Sequence, residues 1–283
     1  MITSLTLGLI AALCWGIHDI CVRIISQRIS IFASIFTVLT VGALILAPIC
    51  LYFGNWQSLS GPAIRHSVFS GALFTLAVVG LYKAFSIGPV RLVAPIVGSF
   101  PILSVGLAIW HGQVIFQFQI LAVLAIIFGI FIVAQGDGED SIQNRNYAIF
   151  WAICASVGFF SSFAFGQTAA ALGAELPVIW LTRLASILAL FCAALPYRTN
   201  LLPKISELPI LIVMGLLDAV ALAVVIYAGT DEFSVFASVA ASIFGLITIV
   251  LAWIFLKEKM TIIQWFGVLV VFSAIAILTV KSG

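Results

Sequence analysis

Apolar runs of about twenty residues, separated by short polar turns, constrain this chain more than any other feature. The stretch from Ser234 to Leu269 is typical: one apolar run ends at Lys257-Glu258-Lys259, and a second follows at once. A hydrocarbon slab of about 30 Å takes about 20 such residues per crossing. We therefore interpret this stretch as a helical hairpin in a membrane.

The composition leaves too few charges to cover a surface exposed to water. The 283 residues are 64% hydrophobic and 8% charged, whereas soluble domains carry roughly 25% charged residues. In lipid each spanning segment must satisfy its own backbone hydrogen bonds, and the runs are too long for barrel strands of about ten residues. The predicted fold class is an all-α polytopic membrane protein, expected in the plasma or inner membrane. The first run lacks a positive leader and a cleavage site, so we interpret it as a membrane helix.

Ten apolar runs predict ten transmembrane helices, five on each side of an acidic connection. The predicted helices span residues 3–25, 31–53, 67–85 and about 90–110, a fifth ends near 134, and the rest span 147–172, 178–195, 208–228, 234–256 and 262–280. This divides the chain into a first repeat over 1–135, an acidic linker over 136–145 and a second repeat over 146–283. An odd number of helices per repeat gives the halves opposite orientations, which is the inverted repeat of many carriers.

Small residues recur in register between the two halves. Gly71 matches Gly215 and Ala94 matches Ser238 at one common offset in numbering. Small residues at four-residue spacing let helix backbones approach closely, which matters in lipid because no hydrophobic effect drives helices together. The recurrence favours an internal duplication.

Motifs in both halves resemble one known family. They are the Leu256–Lys259 turn with Gln264 and Gly267 in the second half, and Trp15, Gly16, Pro95 and Pro101 in the first half. Together they resemble the EamA-type transporters of the drug/metabolite transporter superfamily. The resemblance implies ten helices as two inverted five-helix repeats around a central cavity. His111-Gly112-Gln113 is a departure, since the family often has a Gly-Glu turn there.

Polar side chains at membrane depth are costly unless they have partners, so they are candidates for substrate contact. The candidate substrate-binding residues are Trp15, His18, Asp19, Tyr82, Ser99, Gln167, Asp218, Tyr227, Ser238 and Ser242. Asp218 is the strongest, because its own helix offers no base at helical spacing. Its partner must come from another helix, from water or from a ligand, and in a cavity it could bind an amine or a proton.

Asp19 has two interpretations that the sequence leaves open. It stands four residues before Arg23, in the favourable order for an ion pair along a helix, or it contacts substrate or a coupling proton. His18 either titrates in a cavity or is an interior histidine with a hydrogen bond. Lys83 and Arg183 lie near predicted helix ends, where long basic side chains extend to the interface.

Two prolines in the fourth helix predict that it is bent or broken. Pro95 and Pro101 each remove a backbone donor, and they flank Gly98. We interpret Gly88, Pro95, Gly98 and Pro101 as hinge positions beside a water-filled cavity, as in carriers with discontinuous helices. A kink needed only for packing is the alternative.

The expected function is that of a secondary transporter, which moves a small organic metabolite by alternating access. No Gly-x-x-x-x-Gly-Lys motif occurs, so the driving force is expected to be a gradient or exchange. The mixture of acids and bases permits an amino acid or related zwitterion or amine, and export is the expected direction. The alternatives are a channel, a membrane enzyme, or an uptake carrier of the same fold. No cluster of ionisable groups indicates an enzyme.

The partners expected are the substrate, a coupling proton and the lipid bilayer. We expect no cofactor, no metal and no nucleic acid, and a monomer is the working expectation. All five cysteines lie in apolar runs, where a thiol behaves as a small hydrophobe. The orientation stays open, because the distribution of basic residues predicts termini outside the cytoplasm and the family resemblance implies the opposite.

Overall fold

The computed structural model describes residues 2–110, 112, 116–134, 142–197, 199–229 and 243–280. These residues form α-helices, three short 3₁₀ helices and turns, with no β-strand among them. The α-helices are α1 (Ile2–Ile25), α2 (Ile31–Phe53), α3 (Gly61–Ile87), α4 (Val90–Gly98), α5 (Pro101–Trp110), α6 (Gln117–Ala134), α7 (Ile142–Ala170), α8 (Glu175–Ala194), α9 (Leu208–Gly229), α10 (Phe244–Phe255) and α11 (Ile262–Val280).

The apolar lengths of these helices agree with a multi-pass membrane protein. Eight spans in the described part of the chain are long and apolar enough to cross a bilayer, with α4 and α5 together counted as one. Two shorter apolar helices follow, over Phe244–Phe255 and Ile262–Ile277. The polytopic helical class is confirmed, whereas the count of ten crossings stays a prediction.

Three helices in the structure begin earlier than predicted from hydropathy. α3 begins at Gly61 instead of Ser67, since Ser60 caps it by accepting a hydrogen bond from the Ala63 N–H at 3.3 Å. Pro62 stands in its first turn, where a missing N–H costs nothing. The starts of α7 and α8, at residues 142 and 175, also precede the predicted 147 and 178. Hydropathy places the start of these helices too late because their first turns are polar.

The predicted fourth helix is broken. Its two parts, α4 and α5, are joined through Ser99 and Phe100, whose N–H groups bond three residues back, to Ile96 O at 3.2 Å and Val97 O at 3.4 Å. Pro101 then begins α5 without a backbone donor. The break predicted from the two prolines is therefore confirmed, and the role of these positions as hinges stays a prediction.

The closest helix contacts join elements before residue 135 to elements after residue 141. α3 packs against α7 and α8, α1 against α9 and α10, α2 against α8 and α9, α4 against α7 and α10, and α6 against α11. The N-terminal and C-terminal halves are thus packed into each other along most of their helices.

Two glycines at matching positions make matching contacts. A Cβ on Gly71 would lie 2.6 Å from Thr182 O on α8, and a Cβ on Gly215 would lie 3.0 Å from Val38 O on α2. Thr182 and Val38 are separated by the same offset as the two glycines. The internal match read from the sequence therefore extends to how these helices pack.

The outer surface is apolar. Large side chains such as Leu44, Phe53, Phe255 and Ile262 are exposed. Such a surface would associate in water, and it fits contact with lipid tails. Several polar side chains are instead buried in the interior of the bundle.

Candidate functional site

Polar side chains from five helices meet inside the bundle. We call them the polar cluster: His18 and Asp19 on α1, Tyr82 on α3, Arg183 on α8, Asp218 on α9 and Thr248 on α10. Asp19 contacts His18 and Thr248, the His18 ring lies near the Tyr82 ring, and Arg183 pairs with Asp218. The cluster draws its members from both halves of the chain.

Asp218 is paired with Arg183. Their Oδ2 and Nη2 atoms lie 2.5 Å apart, with only 13% and 5% of the two side chains exposed. Oδ2 and Nη2 form an ion pair, but their geometry does not meet the criteria of a hydrogen bond. Nη1 of Arg183 has no hydrogen-bond partner among the described residues. The guanidinium also lies 5.6 Å from the centre of the Phe74 ring, within range of a cation–π contact. Gly42 on α2 lies beside the pair, since a Cβ there would be in ordinary contact with Nη1 at 3.7 Å.

This pairing corrects the prediction for Arg183. The residue was expected to extend to the membrane interface, but it is buried in the ninth position of a helix that begins at Glu175. The predicted helix start of 178 placed it too close to the end. The partner that Asp218 needed does come from another helix.

Asp19 makes only long contacts. Its Oδ1 lies 3.4 Å from His18 Nδ1, and its Oδ2 lies 3.4 Å from the Thr248 hydroxyl. The Asp19 side chain is nevertheless buried. Two contacts of this length leave most of the acceptor capacity of a carboxylate unused.

Of the two interpretations left open for Asp19, the ion pair with Arg23 is not formed in the structure. The Arg23 guanidinium donates to Phe85 O and lies 4.0 Å from Glu258. Arg23 stands near the C-terminal end of α1 and turns toward the α10–α11 connection. The sequence spacing permitted the pair with Asp19, but the neighbouring helices supply closer partners.

Glu258 ties the α10–α11 connection to the start of α4. One carboxylate oxygen accepts from the Val90 N–H at 2.9 Å and the other from the Arg91 N–H at 3.2 Å. A carboxylate at a helix N-terminus satisfies free N–H groups and interacts favourably with the helix dipole. Together with its contact to Arg23, Glu258 thus links the α10–α11 connection to α1 and to the start of α4.

Tyr82 and His18 complete the polar cluster. Their ring centroids lie 6.4 Å apart at an interplanar angle of 63°. Both side chains are buried, and neither the Tyr82 hydroxyl nor His18 Nε2 has a hydrogen-bond partner among the described residues. Buried polar atoms without a partner are rare in native proteins, and each calls for an explanation.

The other predicted site residues are not members of the polar cluster. Trp15 is partly buried and its ring lies 6.1 Å from that of Phe244. Ser99 donates to Ile96 O at 2.7 Å within the helix break. Gln167 is exposed on α7. The predicted hinge residues Gly88, Pro95, Gly98 and Pro101 are all buried.

Three predicted residues cannot be compared. Ser238 and Ser242 lie outside the described residues, and Tyr227 lies in α9 at a position whose side chain is not described. Within the described residues, no group of three or more histidine, cysteine or acidic side chains could hold a metal ion.

The sequence analysis missed Arg183, Thr248 and Glu258 as parts of polar contacts. An arginine inside an apolar run was a usable signal for Arg183. Nothing in the sequence distinguished Thr248 from other hydroxyl residues, since its relevance depends on the packing of α10 against α1.

The fold and the buried polar cluster define a multi-pass membrane protein whose halves enclose polar groups. Comparison with known families gives the particular group: the EamA-like transporter family matches residues 2–135 and again 146–280. The chain belongs to this family of membrane transporters. A search of curated proteins found no match.

A solved crystal structure is similar in fold. It superposes with a TM-score of 0.64 at 12% sequence identity, over 97% of this chain and 95% of the other. At this identity the likeness concerns the fold alone.

Proposed function

We propose that this protein is a secondary transporter that carries a small organic metabolite across the membrane by alternating access. The observation that carries the proposal is the polar cluster between the two halves of an EamA-family fold. Charged and polar groups are expensive at membrane depth and usually mark substrate or ion pathways. Asp19, Arg183 and Asp218 lie largely shielded from solvent within apolar helices of a chain that has only 22 charged residues.

The matched contacts of the two halves support the alternating movement. α3 packs on α8 as α9 packs on α2, and α3 packs on α7 as α9 packs on α1. Two inverted five-helix repeats would exchange roles in this way, and rocking one repeat against the other would open each side of the membrane in turn. The proposed central cavity lies at the polar cluster.

The break between α4 and α5 supports a site of movement. Non-helical backbone at membrane depth is tolerated where it is covered by protein or lines a cavity. Ser99 and Phe100 interrupt the helix beside Gly98. A Cβ on Gly98 would lie 3.5 Å from Phe272, which is an ordinary contact, so the backbone here is not tightly packed. We propose that α5 moves relative to α4 at this point while substrate passes, with a coupling proton as a second cargo.

Counterflow in proteoliposomes tests the proposal. Purified protein is reconstituted with an internal load of one unlabelled compound, and uptake of the same labelled compound is measured for a panel of amino acids, amines and organic acids. A carrier accumulates label transiently above equilibrium, because internal substrate drives exchange. Protein-free liposomes and the exposed-site variant Glu175→Gln serve as controls.

The outcomes separate the classes of function. Overshoot with at least one compound supports a carrier. Equilibration without overshoot indicates a channel, and chemical conversion of the compound indicates an enzyme; either result contradicts the proposal. Overshoot that is absent for every compound in the panel contradicts it as well.

A further inference from the structure

Asp19 lacks a strong hydrogen-bond donor. The Thr248 hydroxyl has one proton, and it already bonds Phe244 O at 2.9 Å, closer than the 3.4 Å to Asp19 Oδ2. The remaining contact, His18 Nδ1 to Asp19 Oδ1, is also 3.4 Å. Charge-assisted hydrogen bonds to a carboxylate are normally about 2.7–2.9 Å long, so both contacts are weak.

Asp19 also lacks a cation. Among the described residues, no lysine or arginine nitrogen lies within 4.0 Å of its carboxylate, whereas Asp218 has Arg183 at 2.5 Å. An isolated carboxylate in an apolar interior is strongly unfavourable. The polar cluster therefore holds one negative charge more than it holds positive ones when His18 is neutral.

His18 and Tyr82 each have a polar atom without a partner among the described residues, at 7% and 2% exposure of the two side chains. With its hydrogen on Nδ1 toward Asp19, His18 points the Nε2 lone pair away from that carboxylate, so the Tyr82 hydroxyl is the acceptor left for a group bound at Asp19. A primary ammonium group has three N–H donors on one positive charge, which matches the two oxygens of the Asp19 carboxylate and the Tyr82 hydroxyl.

The next turn of α1 offers an aromatic wall. Trp15 stands four residues before Asp19, so the two share a helix face, and its ring packs edge-on against Phe244 at 6.1 Å between centroids. Trp15 is only partly buried. An apolar or aromatic substituent next to the ammonium group would contact this ring.

We propose that Asp19 receives the ammonium group of a primary amine substrate, with the Tyr82 hydroxyl as the other acceptor. This inference rests on the proposed function and names its substrate class. It moves the amine site from Asp218, the strongest candidate in the sequence, to Asp19, because Arg183 already occupies Asp218. The Arg183–Asp218 pair holds α8 to α9 beside the site.

Binding and counterflow with matched probes test the inference on the full-length protein. The probes are 2-phenylethylamine, the neutral 2-phenylethanol, the anionic 3-phenylpropanoate and phenylalanine. Affinity is measured by ligand-induced thermal stabilisation in detergent, and exchange is measured in proteoliposomes. The variants are Asp19→Asn and Tyr82→Phe. Glu175→Gln is the matched control, because it also replaces a carboxylate by an amide, but at an exposed position at the start of α8.

We expect 2-phenylethylamine to bind at least tenfold more tightly than 2-phenylethanol. Asp19→Asn should lose at least tenfold in amine affinity without a change for the alcohol, and Tyr82→Phe should lose a few-fold. Glu175→Gln should behave as the wild type. Asp19→Asn should fold at least as stably as the wild type, since a buried uncompensated charge is removed; if it does not fold, Tyr82→Phe decides, because it removes one hydroxyl only.

Several results would overturn the inference. Wild-type amine affinity in Asp19→Asn, or in Tyr82→Phe when the first variant is unfolded, excludes the site. Preference of the wild type for 3-phenylpropanoate excludes the substrate class. If the amine is neither bound nor exchanged while another compound shows overshoot, the inference fails and the transporter proposal stands. If no compound shows overshoot, the transporter proposal fails.

Discussion

The Arg183–Asp218 pair permits a sharp test of the structure. Asp218→Asn removes the carboxylate charge and leaves a guanidinium that is 95% buried, because its side chain is only 5% exposed. Breaking a buried ion pair from one side costs about 3–5 kcal/mol, whereas replacing both partners by apolar side chains is often neutral. We therefore expect Asp218→Asn, Asp218→Leu and Arg183→Met each to lower the free energy of unfolding by about 3 kcal/mol or more.

The double variant Arg183→Met with Asp218→Leu should recover most of that loss. The coupling energy between the two sites is then the sum of the losses in the single variants Asp218→Leu and Arg183→Met minus the loss in the double variant, and single losses of about 3 kcal/mol each make it about 5 kcal/mol. The assay is reversible unfolding in mixed micelles by titration with a denaturing detergent, followed by circular dichroism. Because Asp218 is paired with Arg183, Asp218→Asn is expected to cost stability whatever its effect on transport.

Two results would refute this reasoning. Additive losses in the double variant would mean that the two side chains do not interact in the folded protein. Losses below 1 kcal/mol in both single variants would mean that the groups are solvated. Transport by the double variant adds a separate measurement, since a stably folded but inactive double variant would show that the pair is needed for function and not for stability.

Three further predictions use the same unfolding assay. Gly71→Ala should lower the free energy of unfolding by about 1–3 kcal/mol, because its Cβ would lie 2.6 Å from a carbonyl oxygen of α8. Gly106→Ala, with open space around it, should raise the free energy of unfolding by up to about 1 kcal/mol. Equal effects of the two substitutions would contradict the close packing at Gly71. Glu258→Gln should lose about 0.5–2 kcal/mol, because the amide keeps one of the two acceptor oxygens at the start of α4, and a wild-type value would contradict the cap. Lys257→Gly should gain about 1 kcal/mol, since Lys257 has a φ of 55°; a loss would show that its side chain stabilises the turn.

Hydropathy predicted most of the helices because each apolar run must satisfy its own backbone in lipid. It failed at polar helix starts, as at Gly61, where a serine cap and a proline extend α3 beyond the apolar run. The helix break at Ser99 was predictable for a local reason as well, since Pro95 and Pro101 remove donors from one short segment.

The polar contacts inside the bundle could not be predicted from the pattern of single helices. The spacing of Asp19 and Arg23 permitted an ion pair along one helix and left substrate contact open, but Arg23 faces Glu258 and Phe85 O. The error for Arg183 came from a helix boundary misplaced by three residues. Which polar side chains meet depends on how helices distant in the sequence pack, and a single helix pattern carries no information about that.

The sequence by itself determined that this is a membrane-embedded helical chain with matching small residues in its two halves, because hydrocarbon permits few backbone structures and glycine permits close helix contact. The tertiary structure alone decided that Asp218 is compensated by Arg183 while Asp19 is not. The physical reason is that a buried charge is stabilised by whichever group another helix brings within a few ångströms, and that distance is fixed only when α8, α9 and α10 are packed against α1, α2 and α3.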